Sequence, residues 1–193
     1  MTPTISLSES QTMTALRSFL LGVLAPGIEV IAGQDNRVAE PAGTDFAVMT
    51  PMMRERIETN VVTTLDGTLL ATPVPGTRMD LQPIKFTVQI DVHGPQSSDN
   101  AQVITTLFRS DYGVDAFAAS GFDVIPLYAS DPHQTPFLNG EQQQENRWSI
   151  DTVMQCNPIV TTAQDFAATI SISAAPTGVV GGLINVDVIY PAR

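Results

Sequence analysis

The sequence is poor in cysteine, histidine and basic side chains, on which many metal-binding, catalytic and nucleic-acid-binding sites depend. Its 193 residues include one cysteine, two histidines and nine lysines or arginines. A single cysteine excludes an internal disulfide and any multi-cysteine zinc site. Nucleic-acid binders neutralise phosphates with clustered lysines and arginines, but here the basic residues are scattered apart from Arg54 and Arg56. Direct binding of DNA, RNA or an anionic membrane is therefore not expected.

The sequence also offers no apolar run of membrane-spanning length. A transmembrane helix needs about 20 consecutive apolar residues, and the run from Phe19 to Leu24 is far shorter. Glu9 precedes this run and no basic cluster stands before it, so it does not look like a signal peptide. We predict a soluble protein, made in the cytoplasm, with no membrane partner.

What is present is a globular composition with a strong acidic excess. Hydrophobic residues make up 43% of the chain, charged residues 15%, and the net charge is -11. Ordinary hydrophobicity with so little charge argues against disorder, and a chain of this length buries enough surface to need no disulfide. We predict a single domain over residues 1–193. Its surface, rich in Ser, Thr, Asn and Gln, suits contacts with other proteins.

Capping residues and apolar spacing predict two helices and a shorter third. The stretch Ser8–Gln11 has the S-x-x-Q form of a capping box, and the apolar stripe that follows it ends at Pro26. Ser97 or Ser98 is placed to cap the second helix. The short helix is predicted over Val114–Ala119.

Alternating hydrophobicity predicts that most of the remaining chain is β-strand. The clearest strand is Lys85–His93, in which apolar and polar residues alternate so that one face is buried. The other predicted strands are Ile28–Ile31, Phe46–Met49 (ended by Pro51), Arg54–Leu65, Phe122–Tyr128, Arg147–Val160, Ala168–Ser173 and Leu183–Tyr190, with an irregular stretch over Ala129–Asn146. This order predicts an α+β fold: a mostly antiparallel sheet with two helices packed on one face and a long hairpin arm.

The predicted arm is Asp66–Thr77, which lies between two predicted strands. It is rich in Pro and Gly, as a loop is, yet it carries Leu69, Leu70 and Val74. Apolar residues at the tip of a long connection are unusual for a merely solvated loop. We predict that the arm extends and becomes ordered on a neighbouring subunit, with these three side chains as contacts.

A second predicted contact is the densest polar cluster in the chain, which follows Gly33. It consists of Gln34, Asp35, Asn36 and Arg37. The cluster is equally compatible with a contact loop and with a plain turn between strands, because Asn and Asp tolerate left-handed backbone and turns often carry contacts.

Residues able to support catalysis are few and badly placed for it. Cys156 occurs at strand spacing among apolar residues, which is typical of a core thiol. Asp91 and His93 would share one face of a strand, so they are a weak candidate for a carboxylate–imidazole metal site, whereas Asp131 and His133 fall in a predicted loop. No P-loop, G-x-S-x-G or H-E-x-x-H motif occurs.

The chain is therefore predicted to be a non-enzymatic structural subunit without a cofactor. A small metal-dependent enzyme using His93 with Asp91 is the alternative from a different class. Stoichiometric metal retained through purification would distinguish the two.

Several short motifs resemble those of phage neck and tail-terminator proteins. The first stretch has the form G-Q-x-N-R…P…F-x-V-x-T-P, and the later ones match a strand and a turn of the same family. The residues are Gly33–Arg37, Pro41 and Phe46–Pro51, then Arg147–Trp148, Asn157–Val160 and Gln164–Phe166. The order of helices, strands and hairpin over the full chain is also similar to tail-terminator folds.

This resemblance implies a structural virion protein in the tail and neck of a phage. Such proteins form a ring, typically of six subunits, that caps the head-proximal end of the tail tube and joins it to the head connector. The implied partners are further copies of the chain, the tail tube and sheath, and neck or connector proteins. Another non-catalytic assembly subunit, such as a tube, baseplate or pilus protein, is the alternative within the same class.

A ring of this kind would let DNA pass through its lumen without specific binding. We therefore predict that carboxylates are concentrated on the inner wall, where they repel the phosphates within a Debye length of about 8 Å. The candidates are acids without a basic neighbour in sequence, namely Asp91, Asp115, Asp123 and Asp131.

Overall fold

The computed structural model describes residues 2–34, 41–67, 70–72, 74–138, 144–166, 169–173 and 185–189. The chain divides into two compact units. The core unit consists of Ile5–Asn60 and Leu81–Ile159, and the arm unit of Met1–Thr4, Val61–Asp80 and Val160–Arg193. This division into compact units does not test whether residues 1–193 form one domain, so the single domain stays a prediction.

Three helices and fourteen strands are formed by the described residues. The helices are α1 (Glu9–Val23), α2 (Ser97–Phe108) and α3 (Asp111–Ala119). The strands are β1 (Thr4–Ile5), β2 (Glu29–Ala32), β3 (Phe46–Arg56), β4 (Val61–Leu65), β5 (Thr77–Leu81), β6 (Ile84–His93), β7 (Val124–Ala129), β8 (His133–Gln134), β9 (Phe137–Leu138), β10 (Gln144–Glu145), β11 (Arg147–Cys156), β12 (Ile159–Ala163), β13 (Thr169–Ser173) and β14 (Asn185–Ile189). The α+β class is confirmed.

The core unit is built on a six-stranded mixed sheet. Its main path has the order β2-β3-β6-β11-β7, and β8 pairs with β11 beyond the end of β7. β2 and β3 are parallel, whereas the other pairs are antiparallel. The central pair, β6 and β11, aligns His93 with Arg147 at one end and Ile84 with Cys156 at the other. The short pair β9 and β10 lies in the same unit.

One face of this sheet and the three helices enclose the hydrophobic core. The alternation predicted for β6 is present, since Phe86, Val88, Ile90 and Val92 are all buried. Each helix contributes one phenylalanine to a buried aromatic group: Phe19, Phe108 and Phe117 have ring centroids 5.5 to 5.7 Å apart. Two of the three pairs meet edge to face, which is a favourable arrangement for aromatic rings.

The predicted start of α1 is confirmed. The Ser8 hydroxyl accepts a hydrogen bond from the Gln11 backbone N–H, and the Gln11 side chain accepts one from the Ser8 N–H at 2.8 Å. This reciprocal pair satisfies two N–H groups that have no partner within the helix.

The predicted cap of α2 is wrong. Ser97 is a helical residue and Gln96 occupies the cap position without a side-chain bond. The Gln96 N–H instead donates to Asp45 Oδ1 at 2.9 Å, so the carboxylate at this N-terminus comes from a distant segment. Gly94 lets the two segments meet: its φ is +102°, and a Cβ there would collide with the Thr44 carbonyl and with Asp45.

Two strand boundaries also differ from the prediction. β3 does not end before Pro51 but continues to Arg56, with a register shift against β6 between Pro51 and Met53. Pro51 lies just beyond the part of β3 that pairs with β2, at a sheet edge, where a missing N–H breaks no ladder bond. The single strand predicted over Arg54–Leu65 is two, because β3 ends at Arg56 and β4 begins at Val61.

The second sheet has the order β1-β12-β5-β4, which places β4 at an edge. β4 and β5 are consecutive and adjacent, so they form the hairpin whose connection is the predicted arm. β13 and β14 make a separate antiparallel pair, aligned from Thr169 with Ile189 to Ser173 with Asn185.

Candidate assembly surfaces

A methionine-rich groove lies in the core unit between α1 and the strands β2 and β3. It has a volume of about 910 Å³, which is in the size range of binding clefts. Met49 and Phe86 are buried at its floor, whereas Met52 and Met53 are each 57% exposed. Methionine side chains are flexible and adapt their shape to a partner, so the groove is suited to receive apolar side chains.

Two arginines set the charge of this groove. Arg54 Nη2 donates to Glu9 Oε2 at 2.7 Å, and its guanidinium lies 5.0 Å from the centre of the Phe86 ring. Arg17 Nε donates to the Val30 carbonyl at 3.0 Å. Among the described lining residues Glu9 is the one acid, so the described part of the groove carries a net positive charge in a chain of net charge -11.

The described part of the predicted polar cluster lines the same groove. Gly33 and Gln34 both contribute to its wall. The Gly33 N–H donates to the Met49 carbonyl at 2.7 Å, and a Cβ at Gly33 would collide with the Thr50 hydroxyl. Gln34 is exposed and has φ +66°, the left-handed conformation expected of a turn.

The remainder of that cluster, Asp35, Asn36 and Arg37, lies outside the described residues. Its proposed role in subunit contacts stays a prediction. Sequence reasoning did not find the groove itself, because Met13 on α1 and the methionines of β3 meet only after the sheet and helix have packed. The one available signal was the run Met49–Met53, which contains three methionines.

The arm unit exposes an apolar strand and loop. Val61, Val62 and Leu65 of β4 are 42–51% exposed, and Leu70 and Val74 in the connection to β5 are each 44% exposed. Exposed apolar side chains collected in one segment are typical of an interaction surface. Leu69, the third apolar residue of the predicted arm, lies outside the described residues.

The arm folds back on itself. The Val74 N–H donates to the Gly67 carbonyl at 3.1 Å, and a Cβ at Gly67 would lie 2.7 Å from a Val74 methyl group. Gly76 packs equally closely against the Phe166 ring, and the Gln164 N–H donates to the Gly76 carbonyl at 3.0 Å. The Gln164 backbone and the Phe166 ring therefore have a structural role at the base of the arm.

The sheet edges differ in how well they are protected from further pairing. β7 contains Pro126 and a register shift against β11, and β3 contains Pro51 and a shift against β6. Prolines and bulges at an edge prevent another strand from adding to it. β4, Val61–Leu65, has neither a proline nor a charged residue, and all five of its residues are exposed.

Asp91 and His93 do share one face of β6, as predicted, but their surroundings are those of a buried polar network. Asp91 accepts hydrogen bonds from the Ser149 hydroxyl at 2.5 Å and from Gln89 Nε2 at 2.9 and 3.0 Å. Arg147 Nε lies 4.0 Å from the same carboxylate. Within the described ranges, no group of three or more His, Cys, Asp or Glu side chains is arranged to hold a metal ion.

His93 lies in the same network and is only 5% exposed. Its ring stacks on Phe46 at 4.4 Å between centroids, and its Nδ1 is 3.9 Å from Glu145 Oε2. Burial lowers the pKa of His93 below its usual 6.5, and this effect outweighs the opposing charge of Asp91. The residue is therefore neutral at pH 7.

Cys156 is buried in the core, as its strand position predicts. Its Sγ lies 3.9 Å from the Thr12 hydroxyl. Burial raises the pKa of the thiol, which disfavours the reactive thiolate.

The four acids singled out for a lumen fall into two groups. Asp91 is buried and lies 4.0 Å from Arg147 Nε, and Asp131 lies 3.5 Å from Arg109, so each has a basic neighbour in space although neither has one nearby in sequence. Asp115 and Asp123 are exposed, and Asp123 accepts a hydrogen bond from Asn157 Nδ2 at 2.9 Å.

Residues 10–178 match the model of the phage neck terminator protein family. The chain belongs to this family. A neck terminator is a structural, non-catalytic protein of the phage virion that associates with other tail or head–tail proteins. The match spans the described groove lining apart from Glu9, the β4–β5 hairpin and the Asp91 network. No curated protein matches the chain.

The described helices of this neck terminator include none that combines the length and apolar character needed to cross a membrane.

Proposed function

We propose that this neck terminator forms a closed ring, in the manner of a hexamer, that caps the head-proximal end of the tail tube and joins it to the head connector. Membership of the phage neck terminator family carries the proposal. The exposed apolar side chains of the β4–β5 hairpin support it, because exposed apolar side chains collected in one segment are typical of a surface that contacts another protein.

The proposed contacts between subunits are the arm and the turn after β2. Leu69, Leu70 and Val74 supply apolar contacts, and Gln34, Asp35, Asn36 and Arg37 supply polar ones. The ring uses no cofactor, and DNA passes through its lumen without specific binding. The excess of acidic over basic residues supports this last point, since carboxylates repel the phosphates of DNA.

Purified full-length protein tests the proposal directly. Negative-stain electron microscopy should show closed rings, and native mass spectrometry should give one defined subunit number. The control is a Leu70→Ser/Val74→Ser variant, which should remain folded by circular dichroism but form fewer rings. An open helical polymer would instead favour a tube subunit, because a heterologous contact that does not close makes a filament. A monomer at all concentrations would refute ring formation by the protein alone.

A further inference from the structure

We propose that the methionine-rich groove of one subunit receives the β4–β5 arm of the neighbouring subunit. The groove is the surface lined by Met13, Met49, Met52, Met53 and Phe86. The arm is Asp66–Thr77, in which the described residues Leu70 and Val74 are exposed. The inference rests on the proposed ring and names the surface to which the arm binds.

Shape and flexibility favour the groove as the receptor. It is concave, and the arm presents Leu70 and Val74 on a connection folded back on itself at Gly67. Met52 and Met53 are exposed on the groove wall, where they can adapt to these branched side chains. Burial of the apolar surface on both sides would stabilise the contact.

Charge favours a second copy of this chain as the occupant. From Val61 to Thr77, β4 and the arm together carry one charged residue, Asp66, and no basic residue. The described lining of the groove has Arg17 and Arg54 against the single acid Glu9. Two molecules of net charge -11 repel each other over most of their surfaces, so a nearly neutral arm and a locally positive groove form a pair of surfaces able to meet.

Another exposed apolar surface of the core unit, on β7, fits the arm less well. It consists of Ile125, Leu127 and Tyr128 on β7, which are 38–50% exposed. Asp123 precedes this strand and Asp131 follows it, and both side chains are exposed. Arg109 lies 3.5 Å from Asp131 and offsets its charge, but an arm that carries Asp66 would still meet like charge at Asp123. β7 therefore provides a matched control surface.

Disulfide trapping in the full-length protein tests the proposal. The variant Met52→Cys/Leu70→Cys places one thiol in the groove and one on the arm. A disulfide requires Cα atoms about 4.4–6.8 Å apart, so bond formation reports direct contact. Cys156 stays in place because it is buried and the burial raises its pKa. Controls are each single variant and Leu127→Cys/Leu70→Cys, which puts the first thiol on β7.

Mild oxidation of the assembled Met52→Cys/Leu70→Cys protein should give a ladder of covalent multimers on a non-reducing gel, up to the full ring. The three controls should give at most traces of dimer. A cross-link confined to the monomer band would overturn the inference, because the arm would then bind the groove of its own chain. Intact rings without a 52–70 cross-link would also overturn it but leave the proposed function standing. Failure of the unmodified protein to form a ring would refute both.

A double-mutant cycle gives an independent readout. Met52→Ser/Met53→Ser in the groove and Leu70→Ser/Val74→Ser on the arm should each weaken ring assembly by roughly tenfold, as truncated interface anchors do. If the two surfaces touch, the combined variant should weaken assembly much less than the hundredfold expected from independent sites. Additive effects, with folded monomers by circular dichroism, would contradict the contact.

Discussion

At the scale of single residues, burial rather than sequence proximity decides what the titratable side chains do. Asp91 and His93 have the i, i+2 spacing of a metal pair, yet Ser149 and Gln89 donate to the carboxylate and Phe46 stacks on the imidazole. Gln89 lies on β6 itself, whereas Ser149 on β11 and Phe46 on β3 are distant from it in sequence. The network supplies the buried Asp91 carboxylate with hydrogen-bond donors from two strands.

The neutral state of His93 makes stability depend on pH. Burial lowers its pKa in the folded protein, so below pH 6.5 the unfolded chain takes up a proton that the folded chain does not. Stability should be fully present above pH 6.5 and fall as the pH drops below it. The maximal slope for one such group is about 1.4 kcal/mol per pH unit.

Urea denaturation at pH 7.5, 6.5 and 5.5 measures this effect. The loss of stability between pH 6.5 and 5.5 should shrink in His93→Gln and persist in His133→Gln, since His133 is exposed. An identical pH dependence in wild type and His93→Gln would show that other groups cause it.

At the scale of secondary-structure elements, the helices are held together chiefly by their shared aromatic group. Phe19 of α1, Phe108 of α2 and Phe117 of α3 are each at most 2% exposed and each touches the other two. Because every helix contributes one ring, loss of any ring leaves a cavity between the helices and weakens their packing on the sheet.

Phe117→Ala should therefore destabilise the protein by about 3–5 kcal/mol, the range for a large buried aromatic residue. Tyr112→Ala on the same helix is the control, since Tyr112 is 48% exposed, and its effect should be below about 1 kcal/mol. The midpoint of thermal or chemical unfolding measures both. Equal destabilisation by the two variants would contradict the aromatic group as the centre of the helical layer.

Local patterns were sufficient to predict those elements whose determinants lie within a few residues. The capping box at Ser8 and the alternation of β6 are of this kind. The cap of α2 was not predictable, because its acceptor Asp45 is 51 residues from Gln96. The continuation of β3 through Pro51 depended on where β2 stops pairing, which no local pattern encodes.

Of the two candidate surfaces, likewise, local sequence patterns could predict one and not the other. The exposed leucine and valine of the arm were visible in the sequence because apolar residues are out of place in a loop rich in Pro and Gly. The groove was not, since its walls come from α1, β2, β3 and β6 and exist only in the folded protein.

At the scale of the whole molecule, the acidic excess is the main guide to how the protein behaves towards DNA. Asp115 and Asp123 remain exposed candidates for the proposed lumen, whereas Asp91 is buried and lies outside that role. Because the basic residues are few and scattered, contact of the assembled protein with double-stranded DNA should release few counterions from the DNA.

We therefore expect no measurable binding of the assembled protein to linear double-stranded DNA by electrophoretic mobility shift at about 50–150 mM salt. Asp115→Lys/Asp123→Lys should introduce weak binding that disappears as salt is raised, if these residues face the DNA path. Val114→Lys/Ile125→Lys, which adds the same number of lysines at neighbouring exposed positions, is the control. Salt-resistant binding by the unmodified protein would contradict a repulsive channel.

The contrast between the sheet edges affects how prone free subunits are to misassembly before they enter a virion. β7 and β3 are protected by prolines and bulges, but β4 is an uncharged edge strand whose five residues are all exposed, with the composition of a strand that stacks into fibrils. Between synthesis and incorporation, this strand is a misassembly hazard. Long-range repulsion between molecules of net charge -11 keeps free subunits apart. Concentrated salt screens this repulsion, so it should make unassembled subunits more prone to pair through β4.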